Sequence, residues 1–281
     1  MNHTGSNETP PMGVLHLEEG TQQFQLTRLA PATGLKPFVK HYWMVSWDLT
    51  GHEPYPQHVV PNPCVNLVVE RNKTFFYGPS DQKFTYSIHG KGCVFGVKFK
   101  PGGFYPFFQS PVSTLYGKPL EVSGLLGINA GTLEAVLLHD NSMEEKAKYI
   151  DQLLSACLPA EDIEASLVCD IVNLIEKDRN MLRVDQLSAY WKLHTRKLQR
   201  LFHQYVGMSP KTVIQLYRLQ NAADCIERGL TSDLTKLSQD LGYHDQSHFI
   251  KDFKSIIGST PDEYLQLSLS VLSKPNESGA E

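Results

Sequence analysis

The sequence predicts an α+β chain: an N-terminal β-rich domain of sandwich or barrel type, then an all-α domain of two helix-turn-helix subdomains joined by a linker helix. Three observations lead there. Polar and apolar residues alternate with period two between about residues 22 and 100, the period turns helical from about residue 130, and five positions recur at a constant offset of 51 residues near the C-terminus. At roughly 150 residues per domain the chain has length for two cores.

The β-rich part comes first. Trp43, Val45, Trp47 and Leu49 fall on one face of a strand, and Tyr42, Met44, Ser46 and Asp48 on the other. Further short runs at Cys64 to Glu70, Lys73 to Tyr77, Phe84 to Ile88 and Cys93 to Phe99 are separated by turn signals at Pro61 to Pro63, Gly78 to Asp81 and Gly90 to Gly92. Pro101-Gly102-Gly103 closes the last run, because no strand interior tolerates that triplet.

Helices follow. Ser142-Met143-Glu144-Glu145 is a capping-box pattern ahead of the stripe Ala147, Ile150, Leu153, Leu154 and Cys157, and Pro159 ends the helix. A second stripe, Ile163, Leu167, Ile171, Leu174 and Ile175, suits packing between domains or pairing of two chains.

The repeat matches Leu198, Phe202, Gly207, Ser209 and Pro210 to Phe249, Phe253, Gly258, Thr260 and Pro261. In each copy an apolar i, i+4 pair ends a helix, Gly takes a left-handed cap, and Ser/Thr-Pro opens the next helix. The second copy adds Glu263 for a capping box. A short helix precedes each copy, Val184 to Trp191 and Leu234 to Leu241, so the pattern is helix, turn, helix, twice. Pro210 to about Arg228 is the linker between them.

At about 100° per residue, Leu198, Leu201, Phe202 and Tyr205 share one side of the first repeated helix. Arg196, Gln199, Arg200 and His203 then share the other, with Lys197 beside them. Forked Arg and Gln side chains match guanine and adenine edges in the major groove. In the second unit Phe249, Phe253 and Ile256 point inward, and Ser247, Lys251 and Lys254 outward. Whole-chain charge, 26 Lys and Arg against 30 Asp and Glu, excludes a global polycation. Locally the picture differs: residues 191–218 hold six bases and no acid, whereas 219–268 hold four bases and eight acids. Phosphate neutralisation therefore favours the first unit as the main contributor to affinity.

Over about residues 181 to 268 the sequence resembles the AraC/XylS family of bacterial transcription regulators. HTRKLQRLFHQYVGMSP, residues 194–210, is similar to that family's first recognition helix and linker start, and LGYHDQSHFIKDFKSIIGSTPDEYL, residues 241–265, to its second unit. The resemblance implies base or near-base contacts at Arg196, Gln199 and Arg200, and at Gln246, Ser247 and Lys251. Lys192 stands where the first turn of that family usually has Gly, a strained choice if φ is positive there. Lys251 stands for a frequent Arg and favours phosphate over a base. The stretches HYWMVSWDL, VVPNPCVNLVVE and VFGVKFKPGGFYPF, within about residues 41 to 108, resemble a sensor-like domain of unknown function found ahead of such units.

The expected organisation is a flexible N-terminus over 1–20, the sensor-like domain over 21–128, helical connectors that could serve dimerisation over 129–180, the DNA-binding domain over 181–268 and a disordered tail over 269–281. Trp43, Trp47, Tyr55, His58, Asn66, Tyr86 and Lys98 are the candidate lining of a small-molecule pocket, with apolar walls and a few polar anchors. Five scattered cysteines suit a reducing, cytoplasmic setting. No nucleophile elbow, phosphate loop or zinc motif is present, so neither catalysis, cofactor nor metal is expected, and the i, i+4 pair His244 and His248 lacks a third ligand. Operator DNA is the expected partner, with RNA polymerase, an effector and a second copy of the chain as further candidates, and no membrane. Two rival functions are alkyl transfer to Cys64 or Cys93 beside a DNA-binding module, and a DNA-binding protein whose N-terminal domain serves assembly alone.

Overall fold

A computed structural model describes residues 23–272. The expected lead-in over 1–20 lies outside the described residues. Eight strands form the N-terminal half: β1 Gln25–Leu29, β2 Val39–Leu49, β3 Tyr55–Val59, β4 Asn66–Val69, β5 Phe75–Tyr77, β6 Phe84–Ile88, β7 Gly90–Phe99 and β8 Leu120–Glu121. Six make one antiparallel sheet in the order β1-β2-β7-β4-β5-β8, and β3 pairs with β6 as a separate ribbon.

Register decides which side chains face the core. Tyr42 and Leu67 both oppose Val97, and Phe76 opposes Leu67, so these residues share the inner face. Helices α1 Tyr105–Phe108, α2 Ser123–Leu126, α3 Ala130–Leu137 and α4 Met143–Ala156 follow this sheet. Tyr42, Leu67, Phe76, Phe95 and Phe99 pack with Phe104 and with Leu133, Leu137, Ile150 and Leu154 of α3 and α4. Each fully buried side chain of this size contributes roughly 1.5–3 kcal/mol. Trp43 and Trp47 oppose Gly96 and Gly92 on the outer face, where Leu26, Val45, Trp47, Tyr55 and Tyr86 pack on Phe24, Leu49 and Ile88.

The strand expected to start at Cys93 starts at Gly90, and the glycines read as a turn split in role. Gly90 turns the chain with φ 57°, whereas Gly92 lies in the strand because a Cβ there would collide with the Trp47 indole. β3 carries Pro56, which a ribbon outside the main sheet tolerates.

The C-terminal half comprises α5 Ile163–Lys177, α6 Val184–Trp191, α7 Thr195–Leu201 continued by a π turn at Phe202–Val206, α8 Pro210–Glu227, α9 Leu234–Asp240, α10 Gln246–Ile257 and α11 Pro261–Leu272. α5 buries Ala165, Val168, Ile171, Val172 and Ile175 in the same core as Leu198, Phe202, Leu216 and Phe249. The stripe considered for pairing two chains is therefore used inside one, and Ile163, its expected first member, is 80% exposed at the first helical position. α11 runs to Leu272, four residues into the stretch expected to be disordered, while the rest of that tail lies outside the described residues.

Candidate nucleic-acid interface

In the first unit α6 ends on Lys192, left-handed at φ 52° and ψ 37°. The Leu193 amide then bonds back to the Ser188 carbonyl at 3.1 Å, and the Ser188 hydroxyl donates to the Leu193 carbonyl at 2.5 Å. The second unit repeats the turn with Gly242, φ 74°, and the Tyr243 amide on the Ser238 carbonyl at 3.0 Å. His194 opens α7, its Nδ1 accepting from the Arg196 amide at 3.4 Å, and Asp245 opens α10 by accepting from the Ser247 amide at 2.8 Å.

Both helices end as the repeat requires. Gly207 and Gly258 are left-handed at φ 81° and 102°. Ser209 caps α8 through the Thr212 amide, and Thr260 and Glu263 form a reciprocal capping box at 2.7 and 3.2 Å. The linker helix α8 joins the units firmly: Gln215 donates to Asp252 at 2.7 Å, Arg218 donates to the Leu241 carbonyl at 3.1 Å, and its guanidinium lies 4.2 Å over the Tyr243 ring.

The inward residues Leu198, Leu201, Phe202, Tyr205, Phe249, Phe253 and Ile256 are buried. Arg196, Lys197, Gln199, Arg200 and His203 are exposed, as are Gln246, Ser247, Lys251 and Lys254. Two of these cations meet an acid the sequence did not single out. Glu164, at the start of α5, stands 3.2 Å from the Arg200 guanidinium and 3.6 Å from the Lys197 ammonium. His203 lies on the π turn, its Nδ1 3.4 Å from the Ser113 hydroxyl of the N-terminal half.

The candidate pocket residues divide. Tyr86 packs edge-on to Trp47 at 6.0 Å, and Tyr55 joins their cluster. His58 falls on the opposite face of the ribbon from Tyr55, because alternation along β3 places it with Thr85, whose hydroxyl lies 3.0 Å from its Nδ1. Its neighbour Gln57 shares the Tyr55 face of the ribbon and is 9% exposed. Trp43, Asn66 and Lys98 sit along the outer face of the main sheet, with His41 and Arg28 in the same or adjacent register rows.

Cys64 is buried, and burial pushes its thiol pKa up, which disfavours the thiolate needed for alkyl transfer. Among the described residues no three His, Cys, Asp or Glu side chains cluster to hold a metal, and no helix is long and apolar enough to cross a membrane.

Residues 187–267 match a family model described as a helix-turn-helix domain, and residues 27–121 one described as a domain of unknown function (DUF6597). An uncharacterized HTH-type transcriptional regulator of Haemophilus influenzae is 28% identical over 94 residues, 34% of this chain and 31% of that protein. The F1 operon positive regulatory protein of Yersinia pestis is 33% identical over 99 residues, 34% of this chain and 33% of that protein. The chain thus spans about a third of the length of these relatives. Among solved structures, ToxT from Vibrio cholerae aligns over 87% of this chain and 98% of its own at 13% identity and a TM-score of 0.36. The C-terminal helices are an AraC-type helix-turn-helix domain, set behind an N-terminal DUF6597 domain.

Proposed function

We propose that this chain is a sequence-specific DNA-binding transcription regulator, not an enzyme, and that its N-terminal half responds to a small-molecule effector. One observation carries the first part: two like helix-turn-helix units, fastened by α8, with the acid-free stretch 191–218 displaying Arg196, Gln199 and Arg200 outward over a buried apolar face. Arg196, Gln199 and Arg200 read bases, with Gln246 and Ser247 at the second site. Lys197, His203, Lys251 and Lys254 hold phosphates. In this reading residues 21–128 sense, 129–180 connect and 181–268 bind DNA, in the cytoplasm where the operator lies.

The test compares two substitutions on operator and scrambled duplexes over a salt series. Arg200→Ala lowers operator affinity by about 1–3 kcal/mol and relaxes preference at one position, whereas Lys254→Ala weakens both duplexes alike and reduces the salt slope by about one. Equal, sequence-independent losses for the two variants overturn the assigned roles.

A further inference from the structure

We propose that Ile250 of α10 reads the 5-methyl group of a thymine in the major groove, so that the second unit discriminates bases by apolar contact where the first uses forked Arg and Gln. This rests on the DNA-binding reading above and assigns a further residue to its second site.

The helix itself singles Ile250 out. Successive residues turn by about 100°, so Phe249, Phe253, Ile256 and Ile257 form one buried side. Gln246, Ile250 and Lys254 make a row at i, i+4, i+8 beyond its edge, with Ser247 and Lys251 in the next row. Ile250 is thus set among the side chains assigned to DNA. It is 38% exposed, and among the described residues no other large apolar side chain of α7 or α10 is so exposed.

Neither the linker helix nor the N-terminal half covers it. Asp252, about 200° further round the helix, is held by Gln215 of α8 at 2.7 Å and by the Tyr243 hydroxyl at 3.0 Å, so the linker helix lies on the opposite flank. The contact of α10 with the N-terminal half falls at Gly258, beside Lys83, about two turns away. Ile250 belongs to none of the buried apolar clusters among the described residues.

Chemistry supplies the reason for an isoleucine there. α10 has Lys251 and Lys254 but no arginine, and residues 219–268 hold four bases and eight acids. The guanidinium fork is absent, and the surplus of acid weakens phosphate attraction. An uncharged contact is indifferent to that surplus. In the major groove thymine is the base that presents a methyl group, and an apolar side chain is its match. A β-branched side chain on a helix keeps essentially one χ1 rotamer, so Ile250 offers its methyls with little entropy to lose. Gln246 stands one turn before it, about 5.4 Å along the axis, against about 3.4 Å between stacked base pairs. The thymine is therefore expected within about two base pairs of the base that Gln246 reads.

The test uses the full chain and duplexes that it selects from a random library at low ionic strength. Each thymine of a selected duplex is replaced in turn by deoxyuridine, which removes the methyl and leaves every hydrogen-bonding group in place. For the wild-type chain one or two of these replacements are expected to weaken binding by about threefold to tenfold, the effect of one buried methyl. Ile250→Ala is expected to weaken binding to the thymine duplex by a similar factor and to be indifferent to the same deoxyuridine, with Ile250→Val intermediate. The salt slope stays as in the wild type, because no charge is lost. Alanine favours helix at this exposed position, and Ile250→Val repeats the cycle with a smaller change, so a folding defect cannot hide the outcome. A wild-type chain that tolerates deoxyuridine at every thymine, or a deoxyuridine loss that persists undiminished in Ile250→Ala, overturns the proposal. A chain that selects no duplex overturns the DNA-binding reading and this assignment with it, whereas selection without methyl dependence overturns the assignment alone.

Discussion

Lys192 holds φ 52° at the end of α6, where the second unit uses Gly242 for the same left-handed turn. A Cβ in that region costs about 1–2 kcal/mol, part of which glycine gives back as unfolded-state entropy. Lys192→Gly is therefore expected to raise stability by about 1 kcal/mol in urea titrations, and Lys192→Ala to gain nothing. His41 permits a second test. Its pKa lies near 3, below the ordinary 6.5, so as pH falls the unfolded chain takes up the proton first. Its contribution to stability is thus complete above pH 6.5 and is lost as pH falls towards 3. Ring resonances of His41 should stay at neutral positions from pH 8 to 5, and His41→Phe should flatten part of the fall in Tm between pH 7 and 5. A titration midpoint near 6.5 for this ring would refute the burial and the neighbouring Lys98, Arg28 and Lys40 charges that hold its pKa down.

Helix α4 shows what an element tolerates when one position is wrong for its face. Its capping box, Ser142 with Glu145, is local and was legible as a four-residue pattern, as were Ser209-Pro210 and Thr260 with Glu263. Lys146, one turn in, is 2% exposed, and its ammonium lies 3.5 Å from the Met44 Sδ, with no acid paired to it among the described residues. Lys146→Met keeps the length and removes the desolvated charge, so it is expected to stabilise by about 1 kcal/mol at unchanged urea m-value. Legibility followed locality elsewhere too. The outward set Arg196, Gln199 and Arg200 follows from helical period over buried Leu198 and Phe202. His203 is exposed as the same period expects, although it lies on the π turn at Phe202–Val206. The buried face of α5 was legible in part: Ile171 and Ile175 are buried as the stripe expects, while Val168 and Val172 rather than Ile163 complete the face against a core that only the folded chain assembles. Glu164 carries no motif at all. Its meaning comes from Arg200, 36 residues away.

At the scale of the molecule, α7 with its π turn and α10 both end against the N-terminal half. A Cβ on Gly207 would press on Val112 and Pro79, and one on Gly258 would collide with Lys83, while the Tyr105 ring packs tilted on Tyr205 with centroids 4.3 Å apart and its hydroxyl accepts from Gln204 at 2.7 Å. The N-terminal ends, with Arg196 and Gln246, are left exposed. Between these two ends sits Glu164, on Arg200 and Lys197. If Arg200 reads a base it must leave that carboxylate, and a solvent-exposed pair of this kind costs about 0–1 kcal/mol to part. The carboxylate also repels approaching phosphate, an effect screened by salt over about 8–10 Å. Glu164→Gln is therefore expected to tighten operator binding severalfold at low ionic strength, with the gain shrinking as salt rises. In an Arg200→Ala background the same substitution should lose much of its effect, because the pair no longer exists to be broken. Fluorescence anisotropy with the four proteins completes the double-mutant cycle. A gain from Glu164→Gln that is undiminished without Arg200 would show that the acid acts on DNA through general repulsion alone and not by holding the reading side chain.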